Sequence, residues 1–561
     1  MLDKLRIYVL KQYPMKCKRV PVIFCLILFF RYGGILSSLP EQMILYPGDW
    51  VYDGLTTLSL EQRIVFFTGR SIKVSQAKMM LDQLDRETLS PSGQNLYDTL
   101  SDFLDSSLLF TFSLGAFGFG FDPVVEPEAY FSTSQNGPWI YDNYRRKPFA
   151  ALPVSIDFSQ YLAIRMDAAM MQQLNAPEKD NNYGNFFLNY LDFNIPRRAF
   201  LSLSFPLPKS SSIDFAFGIG EEYIGRTRLG SIILSDRLKD ITYGSLGISS
   251  PAFHYSANIL QIEQDKYFYN HQLEVRFLKR LSMYVVEGLL VNAPMELRYL
   301  NPLMIFHSFH AYGEYSSNNA NENPALIDNS DSRVSSYFGT RFELQLIKYG
   351  RIYGLLALNE IQTMGEKLEE PHALKADSMG FQVGSEWFLP ASIGYVTFGV
   401  EGVYTYPFLY VQKDKRWSFY KGKTGKSGSV SQWMGFPYGP DSAAATLWAG
   451  YSASTWSAEV SFVFVAQGER SSTAIFNTDD YHPWLTKNFS ETLLSSPSGT
   501  PMFTYQVSLG GTWSPMNWLA FAAYPGYWIR INDSNKEGEV AQGFETTLSI
   551  KLIPEFLRRS L

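Results

Sequence analysis

Residues able to do covalent or redox chemistry are scarce in this chain, which has six histidines and two cysteines. His254, His271, His307, His310, His372 and His482 are scattered. None stands beside a serine-containing nucleophile motif, and a general base needs hydrogen-bond reach of its nucleophile. His307 and His310 are three residues apart, but with no carboxylate near them they make a weak metal set. No catalytic residue, metal ligand or cofactor is therefore assigned, and no enzyme is expected. What the chain does offer is recognition chemistry. Trp417, Tyr420, Lys423, Trp433, Tyr438 and Asp441 fall in one stretch. Aromatic faces that lie against sugar C–H surfaces, beside charged groups that bond hydroxyls, make a carbohydrate site. The same composition also serves as the core of a loop. A second set is Glu274, Arg276, Arg298, Arg341, Glu343 and Glu360. These charges would either bind an acidic sugar or brace one another as an interior network.

The elements that must position these groups are legible from period. Between Tyr267 and Phe277, Tyr267, Tyr269, Leu273, Val275 and Phe277 oppose Asn270, Gln272, Glu274 and Arg276. In the next such stretch Phe338, Thr340, Phe342, Leu344 and Leu346 oppose Tyr337, Arg341, Glu343 and Gln345. Phe503, Tyr505, Val507 and Leu509 alternate with polar or small residues, and so do Phe544, Leu548, Ile550 and Leu552. Alternation of this kind marks strands that are oily on one face. Further runs lie near 107–119, 154–166, 197–206, 212–220, 252–263, 281–291, 351–361, 379–388, 394–404, 444–453, 457–467 and 517–530. About sixteen to eighteen strands of roughly ten residues are expected, each long enough to cross a hydrocarbon core when tilted. In lipid such a sheet must close, because an open edge would leave peptide groups unsatisfied. The reading is all-β: a closed transmembrane antiparallel β-barrel with a small N-terminal α-helical module. Charged faces then point into the lumen, and Trp433, Tyr438, Trp448, Trp456, Trp513 and Trp518 suit interfacial girdles.

Composition agrees. Only 18% of the 561 residues are charged and 16% are aromatic, glycine is plentiful, and mean hydropathy is −0.11. That excludes disorder and a polytopic helical membrane protein. A soluble propeller would need an internal repeat, and none is found. The longest apolar run, Val20 to Phe30, follows Lys16, Lys18 and Arg19 and precedes small residues, the plan of a secretory signal peptide over 1–38. Its removal takes both cysteines, Cys17 and Cys25, and leaves 41 basic against 53 acidic residues, a net charge of −12. Nucleic acid is disfavoured as a partner. Helical periodicity over residues 39–105, with Leu96, Leu100, Phe103 and Leu104 on one face behind Ser90 or Ser92, predicts a periplasm-facing helical module. Residues 106–561 then form the outer-membrane barrel. The segments 312–333, 364–377, 412–443 and 468–500 are long and polar, whereas Lys279-Arg280 and Tyr349-Gly350 read as tight turns. Long outer loops and short periplasmic turns are the usual asymmetry.

Several stretches resemble the capsule-assembly Wzi-like outer-membrane proteins. They are Leu234-Ser235-Asp236 after Gly225 and Gly230, His271-Gln272-Leu273-Glu274-Val275-Arg276, and Glu287 followed by Leu297-Arg298-Tyr299-Leu300-Asn301-Pro302-Leu303. Later come Asn359-Glu360-Ile361 and Gly435-Phe436-Pro437-Tyr438-Gly439-Pro440-Asp441-Ser442. The loop before Gly230 lacks the Trp-Gly-Pro-Gly pattern of that family. The resemblance implies an outer-membrane barrel of about eighteen strands with a periplasm-facing bundle. It also implies a lectin role, attaching capsular or other exported polysaccharide to the surface. A general diffusion porin for small solutes is the alternative. Outer-membrane lipid is an expected partner in either case.

Overall fold

A computed structural model describes residues 39–46, 48–106, 108–134, 147–172, 182–186, 191–306, 334–361, 377–412, 416–425, 428–471 and 495–553. The signal segment, the loop 312–333, all but the last residue of 364–377, most of 468–500 and the C-terminal Phe556 lie outside the described residues.

The chain closes an antiparallel barrel of 18 strands. Strand β1 is interrupted, running through Phe117–Phe121, Val124–Val125 and Glu128–Ser132. It is followed by β2 (Ala150–Phe158), β3 (Leu162–Gln172), β4 (Leu191–Leu207), β5 (Ser211–Gly220), β6 (Ile241–Ser249), β7 (Phe253–Glu263), β8 (Lys266–Phe277) and β9 (Leu281–Asn292). The second half is β10 (Val334–Leu344), β11 (Gly350–Glu360), β12 (Ser378–Pro390), β13 (Gly394–Thr405), β14 (Ser442–Ala453), β15 (Trp456–Gln467), β16 (Met502–Met516), β17 (Leu519–Ile531) and β18 (Val540–Leu552). Each pairs with the next, and β18 returns to β1, with Glu545 opposite Ser132 and Ser549 opposite Glu128. A short arm, Phe110–Leu114, doubles back onto the first segment of β1. Among the described residues no helix is long and apolar enough to cross a membrane.

The expected faces hold. Phe338, Phe342, Tyr505, Val507, Leu509, Phe544, Leu548 and Ile550 are exposed outward, and Arg341, Glu343, Gln506, Glu545 and Ser549 are buried inward. Three details differ from the pattern reading. The run near 107–119 turns at Gly115 and so spans both the short arm and the start of β1. The run near 154–166 is two strands, because Ser159 takes a left-handed conformation and turns the chain between β2 and β3. Strand β6 was not anticipated, since Gly244 interrupts the outward face that Leu246 and Ile248 continue. At one end all described connections between strands are two to five residues long; at the other they include 221–240 and 406–441.

The N-terminal module is helical as expected, with α1 (Trp50–Gln62), α2 (Val74–Leu81) and α3 (Pro91–Asp105). Ser90 caps α3, its hydroxyl accepting from Gly93 N at 3.0 Å, with Pro91 preorganising the first turn. A two-stranded ribbon, Ile44–Leu45 with Ile72–Lys73, ties the segments together. The module is not a separate cap. Helix α1 is buried on nearly every side, including Thr56, Thr57, Ser59 and Glu61. It is wedged into the short-turn mouth of the barrel, where Val65 N donates to Lys279 O at 2.8 Å and Tyr349 N to Leu60 O at 3.0 Å. Being enclosed by barrel wall, α1 needs no solvated polar face.

Candidate functional site: the filled lumen and its outer mouth

Among the described residues, three segments of the chain fill or cover the inside of the barrel. From the short-turn end comes the helical module. From the long-loop end the connection 221–240 plunges inward until Gly225 N donates to Gly69 O at 2.8 Å and Arg226 reaches Tyr52 O at 3.2 Å. Ile224, Ile232, Ile233 and Leu234 on this segment are fully buried, packed with Phe268, Val286, Leu290, Tyr337 and Leu355 of the wall. Tyr337 Oη donates to the carbonyls of Ile232 and Ile233, and Gln382 Nε2 donates to that of Gly230, so an irregular backbone keeps its peptide groups satisfied inside the barrel. The third segment, 406–441, folds over the same end. Module, inward loop, mouth and wall share one continuous hydrophobic core.

Below that apolar layer lies a charged one. Arg341 sits between Glu274 (3.6 Å) and Glu343, and Arg351 joins Glu343 (3.0 Å) to Glu386 (2.5 Å). Arg70 of the module approaches Glu274 to 4.0 Å. Glu274, Arg341 and Glu343 thus lie together inside the barrel, Arg341 bonding Glu343 and standing at longer range from Glu274. The remaining members of that set do not join them. Arg276 instead holds the module, donating to Val65 O and Gln83 Oε1. Arg298 is a correction: it pairs with Glu296 in a turn on the outside of the barrel, because the chain leaves β9 over the outer wall. Glu360 stands at the loop-side end of β11, the opposite end from Arg351. Period alone could have found Arg351, which alternates with Tyr353 and Leu355 on the lumen face. Arg70 carries no such signal, because it arrives from the module.

A second carboxylate acts as an anchor. Glu401 accepts from the backbone N–H of Arg228 and Leu229, both at 2.8 Å, from Gln382 Nε2 at 2.9 Å, and from Tyr353 Oη. Glu221, at the root of the inward loop, is bonded by Arg198 and by Lys239 at 2.8 Å. Burial opposes its charge, but Lys239 and Arg198 overcome this and hold its carboxyl at about 2. Its neighbour Glu222 has no such balance, and burial pushes it up to about 8 against the pull of Arg70. Glu222 lines a cavity of about 70 Å³ with Arg70, Lys73, Asp214, His254 and Gln272, room for several water molecules.

At the mouth, the aromatic stretch is mostly loop core. Tyr420 and Trp433 are buried: they lie edge to face at 5.3 Å and pack with Phe419 and Tyr410 inside the rim. They present no open face, because the hairpin Tyr420–Gly425 with Gly428–Trp433 turns this side inward, and Lys266 Nζ locks it by donating to Tyr420 O at 2.6 Å. Asp441 is also interior: it accepts from Ser498 N (2.8 Å), Ser498 Oγ (2.6 Å) and Arg470 N (3.0 Å), clamping two outer connections. The side chain of Lys423 lies outside the described residues. Trp417 and Tyr438 remain half-exposed, with the Arg237 guanidinium 5.9 Å from the Tyr438 ring. Among the girdle candidates, Trp456, Trp513 and Trp518 are exposed near the short-turn end as expected. Trp448 is a correction, since it points into the lumen beneath Arg228.

The fold and the filled lumen define a class: an outer-membrane-type β-barrel closed by its own chain. No protein-family model matches the chain, and no curated protein matches it by sequence. Among solved structures it is similar to Wzi of Escherichia coli, described as a carbohydrate-binding β-barrel of the outer membrane involved in group 1 capsule assembly. The identity is 12%, the TM-score 0.53, and the match covers 91% of this chain and 99% of that one. It is also similar to OprD of Pseudomonas aeruginosa, an outer-membrane protein, at 11% identity and a TM-score of 0.39, covering 78% and 93%. These likenesses concern the fold.

Proposed function

We propose that this protein resides in the outer membrane and holds an exported polysaccharide at the cell surface without cleaving it or conducting solutes. The observation that carries the reading is the filled lumen. A pore needs continuous water, whereas here an apolar layer centred on Ile232 and Ile233 lies over an ion-paired layer centred on Arg341. A closed barrel contributes a rigid platform, and the chemistry is left to its outer mouth. There Tyr438, Arg237, Trp417 and the exposed Asp236 combine a sugar-stacking face with charged hydroxyl partners. The structural likeness to a carbohydrate-binding barrel supports this reading. Single-site binding would be weak, and many copies on one polymer would give retention through avidity.

The porin alternative has one observation in its favour. Arg228 and Glu459 pair inside the barrel beside β15 and each keeps about a third of its side chain exposed (37% and 33%), so the filling is thinner there. Planar-bilayer recording combined with glycan co-sedimentation separates the two. The lectin reading expects negligible steady conductance, and glycan binding that falls when Tyr438 and Arg237 are changed to Ala. A large ohmic conductance with no glycan binding would overturn it.

A further inference from the structure

The described outer wall of the barrel is mostly apolar along its ladder rows, as acyl chains require, and one mid-wall row carries an imidazole and a carboxylate side by side. In register, Leu246 faces Ala257, Ala257 faces His271, His271 faces Glu287, and Glu287 faces Phe338. Leu246 and Phe338, at the two ends of the row, are 46% and 38% exposed, so the row lies within the lipid-facing band. An imidazole beside a carboxylate at that level would be costly if bare to hydrocarbon. The chain itself covers part of this row, at His271. On leaving β9 it does not rise from the rim but folds back over the outside of β7 to β9. Phe306 stacks on the His271 ring with centroids 4.4 Å apart, and Tyr299 lies 4.9 Å from Tyr269. Tyr255 Oη donates to Pro302 O. Tyr299 and Phe306 are buried together with Tyr269, Leu289, Val291 and Val334, a hydrophobic cluster separate from the lumen core.

Irregular backbone does not face lipid unless protein satisfies its polar groups. Here several of those groups are paired within the segment or with the wall. Tyr299 N donates to Glu296 O, Met304 N to Asn301 O, and Leu303 N to Asn301 Oδ1 at 3.1 Å, while the wall supplies the Tyr255 hydroxyl. The side turned away from the barrel is mainly aliphatic: Leu297 is 81% and Leu303 87% exposed, and Met295, Leu300 and Ile305 are exposed with them, the polar exceptions being Asn301 and the Glu296–Arg298 ion pair, which neutralise each other. This surface is continuous with the lipid-facing wall on either side, where Phe253, Leu273 and Phe342 are exposed.

We propose that residues 293–306 are a lateral lipid-embedded segment. Its outer, mainly aliphatic face contacts the acyl chains of the bilayer, and its inner face is seated on Tyr255, Tyr269 and His271, with Glu287 beside His271 in the ladder. The polar interruption of the wall is thereby explained as the seat of an irregular segment. The inference requires only that the barrel lies in a bilayer and is independent of the polysaccharide reading.

The test uses the full chain carrying Cys17→Ser and Cys25→Ser, folded into phosphatidylcholine vesicles, with a bimane label at Leu303→Cys. Phe342→Cys on the wall and Lys536→Cys in an outer turn serve as references, and heat-modifiable migration confirms folding. The expected result is blue-shifted emission at 303, quenching by bromine-substituted acyl chains within twofold of that at 342, and several-fold less iodide quenching than at 536. Adding Tyr255→Phe and His271→Leu should raise iodide access at 303 while leaving 342 unchanged. Iodide quenching at 303 equal to that at 536 would place the segment in water and overturn the proposal. Protection from both quenchers would also overturn it, since a second copy or another protein would then be the cover.

Discussion

Replacing Arg351 with Met tests whether the ionic layer braces the barrel. The guanidinium is 1% exposed and lies between Glu343, 2% exposed, and Glu386, 14% exposed. It donates to Glu343 at 3.0 Å and through Nε to Glu386 at 2.8 Å. Met keeps most of the packing volume, so the main loss is electrostatic. Removing one partner of a buried pair costs about 3–5 kcal/mol, because the carboxylate left behind stays desolvated. Two features place this case near the lower end. Glu343 keeps Arg341 as a partner, and Glu386 is open enough to recruit water. A loss of about 3 kcal/mol is expected, read as a lower urea midpoint at unchanged slope for the protein folded into vesicles. Tryptophan fluorescence reports the transition. Adding Glu386→Gln removes a stranded charge and should recover roughly half of the loss, a coupling expected for residues in direct contact. A loss under about 1 kcal/mol for Arg351→Met, or additivity of the two changes, would show that the layer contributes no more than surface pairs do.

Three further outcomes follow from the same geometry. Deleting residues 39–105 should convert a silent barrel into one with steady ohmic current in planar bilayers; continued silence would mean that the 221–240 segment seals the lumen alone. Glu222, with its pKa raised to about 8 from 4.5, is neutral in both states at low pH. As pH rises from 4.5 to 8 the unfolded chain ionises first, so folding stability falls by up to about 1.4 kcal/mol per pH unit and the contribution is lost above pH 8. Glu222→Gln should therefore match the wild type below pH 4.5 and exceed it above pH 8; parallel stability-versus-pH curves would refute this. Finally, with Cys17 and Cys25 replaced, an impermeant thiol reagent on intact cells should label Lys536→Cys but not Thr99→Cys, both exposed positions at opposite ends of the barrel; the reverse would invert the assigned orientation.

The barrel was legible in the sequence because a strand in lipid must repeat every two residues. Phe338 and Phe342 against Arg341 and Glu343 declare their faces whatever lies elsewhere in the chain, and peptide groups in hydrocarbon leave closure as the only outcome. Helix α3 declared itself as directly, through its Ser90 cap and the spacing of Leu96, Leu100 and Leu104. The site was less legible, because the same residue types serve surface and interior. Nothing local distinguishes Tyr438, which stays open beside Arg237, from Trp433, which turns inward against Tyr410 and Phe419. Arg298 read as a lumen charge because alternation cannot show that the chain folds back over the outer wall after β9. Arg70 gave no signal at all, since its partner Glu274 stands far away in sequence and only the insertion of the module brings them together. Period is a property of each segment and survives without a fold. Whether a lumen is empty or filled depends on which distant segments enter it, and only the tertiary structure decides that.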